Sequence, residues 1–163
     1  VFPLVRTQLP GIAFHCIGAD PPASIQALSE HQGVRIHGHV PDLDPAMQGM
    51  CLSVAPLRFG AGVKGKINLS MAHGQPVVAT PTAVEGMHLR DGFDVLVADG
   101  AQAFAAAVVR LYQDEALWNQ LSRNGLDNVT RHFSMDAARD VVRRVLFDET
   151  QQSVNQESFG SKP

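Results

Sequence analysis

The stretch Gly60-Ala61-Gly62-Val63-Lys64-Gly65-Lys66 concentrates more potential chemistry than any other part of the chain. Glycines let a backbone turn tightly and approach a ligand closely. The helical pattern that opens at Lys66 puts a helix N-terminus at the end of this run, with unpaired N–H groups and a partial positive charge. Arg58, Lys64 and Lys66 add three full positive charges. Together these features make a site for a diphosphate.

Three bare readings compete for the stretch. Gly60 through Lys66 nearly matches a P-loop, but Ile67 stands where a Ser or Thr would hold Mg²⁺. Gly60, Gly62 and Gly65 also spell GxGxxG, with Glu85 downstream. That pattern follows a late strand here, and Glu85 precedes Gly86 in a loop instead of closing a strand, which counts against a dinucleotide oxidoreductase. The third reading is a glycine turn with solvated lysines and no ligand. Against it, cations at a helix start oppose the helix dipole.

The elements that must position this loop are legible as short apolar runs. Ile12–Ile17, Val34–His37, Cys51–Ala55, Pro76–Thr80 and Asp94–Val97 read as strands bounded by Gly, Pro or Asp. They are continuous apolar runs, as expected of a parallel sheet covered on both faces. Helical patterns alternate with them: Ala23–Glu30, Leu43–Met50, Lys66–His73, Ala101–Tyr112, Glu115–Arg123 and Ser134–Phe147. Ser134 suits an N-cap, with Asp136 in the first turn. Phe104, Val108 and Leu111 form a core-facing stripe, and Trp118 reads as an anchor to the sheet or to another part of the protein. The fold class is α/β, a Rossmann-like doubly wound sheet, whose ligands bind beyond the carboxyl ends of the strands. Residues 1–149 form the domain, and the polar stretch 150–163 reads as a disordered tail.

Composition narrows the function classes. The chain has 163 residues, 45% hydrophobic, with a formal net charge of −3. Without a basic excess, a nucleic-acid partner has no electrostatic support. Cys16 and Cys51 sit in apolar runs and read as buried free thiols in a reducing, cytoplasmic setting. No apolar run is long enough to span a bilayer. The chain starts at Val1, which reads as the start of a fragment.

The wider context resembles a known family. The run Val54-Ala55-Pro56-Leu57-Arg58-Phe59-Gly60 through Ile67, then Met71-Ala72-His73-Gly74-Gln75-Pro76-Val77-Val78-Ala79-Thr80, then Val84-Glu85-Gly86-Met87, resembles the C-terminal domain of group 1 glycosyltransferases of GT-B architecture. Ile17-Gly18-Ala19, His37-Gly38-His39-Val40-Pro41-Asp42 and Gly92-Phe93-Asp94-Val95-Leu96-Val97 fit the flanking segments. The likeness runs from about Pro3 to Phe147. It implies a domain that binds a nucleotide-diphosphate sugar as donor substrate, with no separate cofactor and no metal, transfer with retention, and an acceptor held by an absent N-terminal domain. Membrane attachment through that other half stays open. Lys66, Arg58 and Glu85 are then the candidate catalytic residues. Gly60, Gly62, Lys64, Gly65 and Asn68 would hold the donor, His39 and Val40 would edge the base, and Thr82 and Val84 lie on the loop nearest the sugar.

One departure stands out. The family's paired glutamates fall on Ala61 and Leu69 here, and neither residue can accept hydrogen bonds from a ribose. Asn68 or Glu85 replaces them, or the donor is held differently, or catalysis is lost. The resemblance also implies a central strand ahead of the helix ending near Leu9. Without that strand, Ile12–Ile17 is expected either to pair directly with Cys51–Ala55 or to leave an edge through which chains associate. His37 and His39, two apart at a strand end, could point to one side but lack further metal ligands.

Overall fold

Among the described residues five short strands, all in parallel pairings, carry the apolar runs, but they form two sheets and not one. A computed structural model describes residues 1–148, so the expectation for 150–163 lies outside the described residues. The chain runs α1 (Phe2–Gln8), β1 (Phe14–Ile17), α2 (Ala23–Gln26), β2 (Val34–Gly38), α3 (Asp44–Gln48) and β3 (Ser53–Ala55). It continues through α4 (Gly65–Ala72), β4 (Val77–Ala79), α5 (Pro81–Val84), β5 (Leu96–Val97), α6 (Ala101–Gln113), α7 (Glu115–Phe133) and α8 (Met135–Arg143), closing with a π turn over Arg144–Asp148. Strand order is β1-β2 in one sheet and β3-β4-β5 in the other. Phe14 pairs with Val34, Val54 with Val78, and Val78 with Leu96.

The direct pairing of Ile12–Ile17 with Cys51–Ala55 is therefore not formed. β1 and β3 are each the edge strand of their sheet. Side chains still join what the backbones do not. Ile12, Leu52 and Val54 all pack against a single core cluster that includes Val5, Val78, Leu96, Phe104, Val108 and Leu111. Apolar contact needs only side-chain reach, whereas a ladder needs backbones about 4.8 Å apart. Helix packing makes the join: α1 lies on α6 and sends Val5 into the cluster.

Val77, Val78 and Ala79 of β4 are fully buried, as a central parallel strand should be. A second cluster on its other face gathers Ile67, Met71, Ala83, Met87 and Val95. Here α4 meets α7. A Cβ on Gly125 would lie 3.0 Å from Met71 Cγ, so this glycine sets the close approach of the two helices. The same contact explains why α7 runs to Phe133, ten residues past the expected end: Leu121, Gly125 and Asn128 are buried along it.

Other expectations need correction. Ala23–Glu30 begins as a helix but tightens into a 3₁₀ turn over Ala27–Glu30, because it buries no residue that would hold a longer α-helix in place. The loop after β4 contains a short helix, α5, with Pro81 at its first position. Cys16 is half-buried and Cys51 exposed, and both are free. Ser134 caps α8 as expected, its Oγ accepting from the Ala137 N–H at 3.1 Å. Trp118 Nε1 donates to the Cys51 carbonyl at 2.7 Å, anchoring α7 to the segment that leads into β3. No helix among the described residues is long and apolar enough to cross a membrane.

Candidate functional site

β3 and β4 are parallel neighbours, so the loops leaving their carboxyl ends are neighbours too. The first is the glycine-rich loop, which carries Arg58, Gly60 and Gly62 into α4. The second holds Thr82 and Val84 in α5, then Glu85 and Gly86. Thr80 ties the two at their bases: its N–H donates to the Ala55 carbonyl at 3.2 Å and its Oγ to the Leu57 carbonyl at 2.6 Å. Gly62 at φ +73° and Gly86 at φ +72° take left-handed turns that a side chain would strain.

Lys64 joins the loops further out. Its N–H points at Met87 Sδ, 3.2 Å away, and its Nζ donates to the Glu85 carbonyl at 3.2 Å. Its own carbonyl accepts from the Ile67 N–H at 2.9 Å and opens α4. Lys64 is the N-cap of that helix and is only 9% exposed. Met87 is buried, and its carbonyl accepts from Asn128 Nδ2 on α7 at 3.1 Å.

The remaining site residues sort by exposure. Arg58, Lys66 and Glu85 are exposed, and the side chains of Arg58 and Lys66 make no hydrogen bond or ion pair with other described residues. Gly60, Gly62 and Gly65 are exposed, while Thr82, Val84 and Asn68 are half-buried. Asn68 Oδ1 is a buried acceptor with no partner among the described residues. Ile67, at the position a P-loop hydroxyl would need, is 2% exposed and turned into the core. Leu69 is 38% exposed and presents apolar surface on α4. Phe59 and Val63 add exposed apolar surface to the loop.

His39 and Val40 follow β2 and so belong to the other sheet; His39 is exposed and Val40 half-buried. His37 makes its contact across the sheet. It stacks on His15, with ring centroids 5.0 Å apart, and His15 Nδ1 lies 2.9 Å from His37 Nε2. His15 is paired in register with Arg35, and His37 reaches it as a diagonal neighbour across the two strands. Burial, then the neighbouring His37 and Arg35, hold the His15 pKa below its ordinary value. At the far end of α4, His73 Nε2 meets Asp44 Oδ1 at 2.8 Å and Nδ1 meets the Leu69 carbonyl at 2.8 Å. The bond to Asp44, then that to Leu69, raises the His73 pKa. Among the described residues no group of three or more His, Cys, Asp or Glu is placed to hold a metal ion.

Residues 1–114 match the family model of glycosyl transferases group 1. The chain belongs to the group 1 glycosyl transferases. No curated protein sequence gives a match. Solved structures with the same fold include S. aureus TarM in complex with UDP, 15% identical with a TM-score of 0.71, over 84% of this chain and 29% of that one. Anabaena HepE, in complex with UDP and glucose, is 14% identical with a TM-score of 0.71, over 88% of this chain and 43% of that one. The C-terminal domain of the group 1 protein LpcC from Francisella tularensis is 16% identical with a TM-score of 0.67, over 81% of this chain and 75% of that one. At these identities the likeness is one of fold. This group 1 chain spans less than a third of the TarM chain.

Proposed function

We propose that the chain is the donor-binding domain of a group 1 glycosyl transferase and takes a nucleotide-diphosphate sugar at the carboxyl ends of β3 and β4. The observation that carries this is the joining of the two loops there, with the N-terminus of α4, Lys66 and Arg58 beside them and no carboxylate of the described residues paired to either cation. UDP in the TarM and HepE complexes supports a nucleotide at this fold. Lys66, Arg58 and the α4 N–H groups would stabilise the negative charge that builds on the departing diphosphate, a task that needs no metal. Asn68, with its unpaired acceptor, and Glu85 would contact the sugar or ribose. Thr82 and Val84 would wall the sugar, and His39 and Val40 would edge the base. Retention of configuration, and an acceptor bound by a second domain, follow from the family resemblance.

A second reading is favoured by one observation. Leu69 and Ala61 stand where the family pattern has glutamates, and Leu69 presents apolar surface there. On that reading the domain binds the nucleotide sugar without transferring it. Titration calorimetry with UDP-, GDP- and ADP-sugars, with and without EDTA, tests the shared claim: one nucleotide series binds, and EDTA leaves the affinity unchanged. No binding in any series would overturn both readings, and binding lost with EDTA would overturn the metal-free site.

A further inference from the structure

We propose that Lys64 is a positioning residue that holds the 81–87 loop against the glycine-rich loop, so that the diphosphate site stands assembled before a nucleotide arrives. This rests on the nucleotide-site reading above for its purpose, but not for its geometry. Lysines are seldom buried without a partner for the ammonium, and Lys64 is 9% exposed with its ammonium bond part-buried. Lys64 has no carboxylate within ion-pair distance among the described residues; its ammonium donates to a backbone carbonyl, that of Glu85. The contact fixes the position of the carbonyl it grips.

The grip is part of a continuous series. Asn128 of α7 holds the Met87 carbonyl, Met87 Sδ meets the Lys64 N–H, and the Lys64 carbonyl starts α4. Lys64 Nζ then reaches back to Glu85, two residues before Met87. Residues 85 and 86 are the exposed turn between α5 and Met87, and Gly86 gives that turn its left-handed bend. Lys64 therefore ties the exposed bend at residues 85 and 86 to the helix start of the first loop. An ammonium has three donors, and the Glu85 carbonyl takes one of them.

Hydrogen exchange by mass spectrometry on the nucleotide-free chain reads the clamp directly, and a UDP titration reads its consequence. Lys64→Met keeps the apolar stem and removes the charge and donors. Exchange at residues 84–88 should rise about tenfold while that of β4 stays unchanged, as expected when a local contact is lost and the core is kept. Lys64→Arg, which restores a cationic donor, should recover most of the protection and most of the UDP affinity. Unchanged exchange at 84–88 in Lys64→Met, or a failure of Lys64→Arg to recover it, overturns the clamp. Should circular dichroism show Lys64→Met unfolded, Lys64→Leu, which also lacks a donor, takes its place with the same expectation. If the unmodified chain binds none of UDP, GDP and ADP, the nucleotide reading fails by itself, and the nucleotide-free exchange still decides the clamp.

Discussion

His73 on α4 and Asp44 on α3 meet through Nε2 and Oδ1 at 2.8 Å, while His73 Nδ1 faces the Leu69 carbonyl at the same distance. Both ring nitrogens thus face acceptors. Only the imidazolium has two N–H groups to offer them, so the pair favours the charged form and raises the pKa. The stabilisation is complete below the ordinary value of 6.5 and is lost as pH rises from there through the raised value in the folded chain. Asp44 is largely exposed, so solvent screening limits the worth to about 0.2–1 kcal/mol. Thermal melts of Asp44→Asn against the unmodified chain should differ at pH 5.5–6 and converge at about pH 9. A gap that widens at high pH would refute the assignment.

Lys66 is exposed in the first turn of α4 and bonds to no described side chain, so it is free to meet a phosphate. Lys66→Ala should weaken nucleotide-diphosphate binding by about 1–3 kcal/mol, the worth of a charge-assisted hydrogen bond, with little change in melting temperature. Calorimetry with the best-binding nucleotide measures this. Equal affinities would remove Lys66 from the site.

Gly33 is held by a local arrangement at the start of β2. It has φ +85°, and a Cβ there would lie 3.1 Å from the Ile12 carbonyl and 3.3 Å from Arg6 Cζ. Arg6 is itself fixed by bonds to the Gln32 and Pro10 carbonyls. Gly33→Ala should cost about 1–3 kcal/mol, combining left-handed strain with crowding. Urea unfolding checks it; a loss under about 0.5 kcal/mol, ordinary for a surface position, would show that the turn relaxes freely.

The two sheet edges should be open in solution. Ser53 N–H bonds to Pro76 and the Ala55 carbonyl to Thr80, so the Val54 N–H points away from β4; by the same alternation the His15 N–H points away from β2. Amide exchange followed by NMR should be faster at His15 and Val54 than at Val78, and light scattering should show association growing with concentration. Equal protection at all three residues in a monomer would mean that the edges are closed.

Residue types and their order were enough for the class of fold and the family, and they single out the loop proposed as the site. Continuous apolar runs between Gly, Pro and Asp mark buried parallel strands because a parallel sheet is covered on both faces. The glycine-rich run at a helix start marks the loop because backbone freedom and charge are written in residue types. The stripe of Phe104, Val108 and Leu111 was legible for the same reason: its period is local.

Tertiary structure alone decided the rest. Periodicity cannot say which backbones come within hydrogen-bonding distance, so the break between β1 and β3 was beyond it, as was the pairing of His37 with His15 across the strands. Residues far apart in sequence set the length of α7, through Gly125 against Met71. Lys64 shows the limit most clearly. Its residue type indicated a phosphate ligand, but packing buried its stem and brought its ammonium to the Glu85 carbonyl, 21 residues away. A cation's type fixes its charge, whereas its partner depends on which loops the core places side by side.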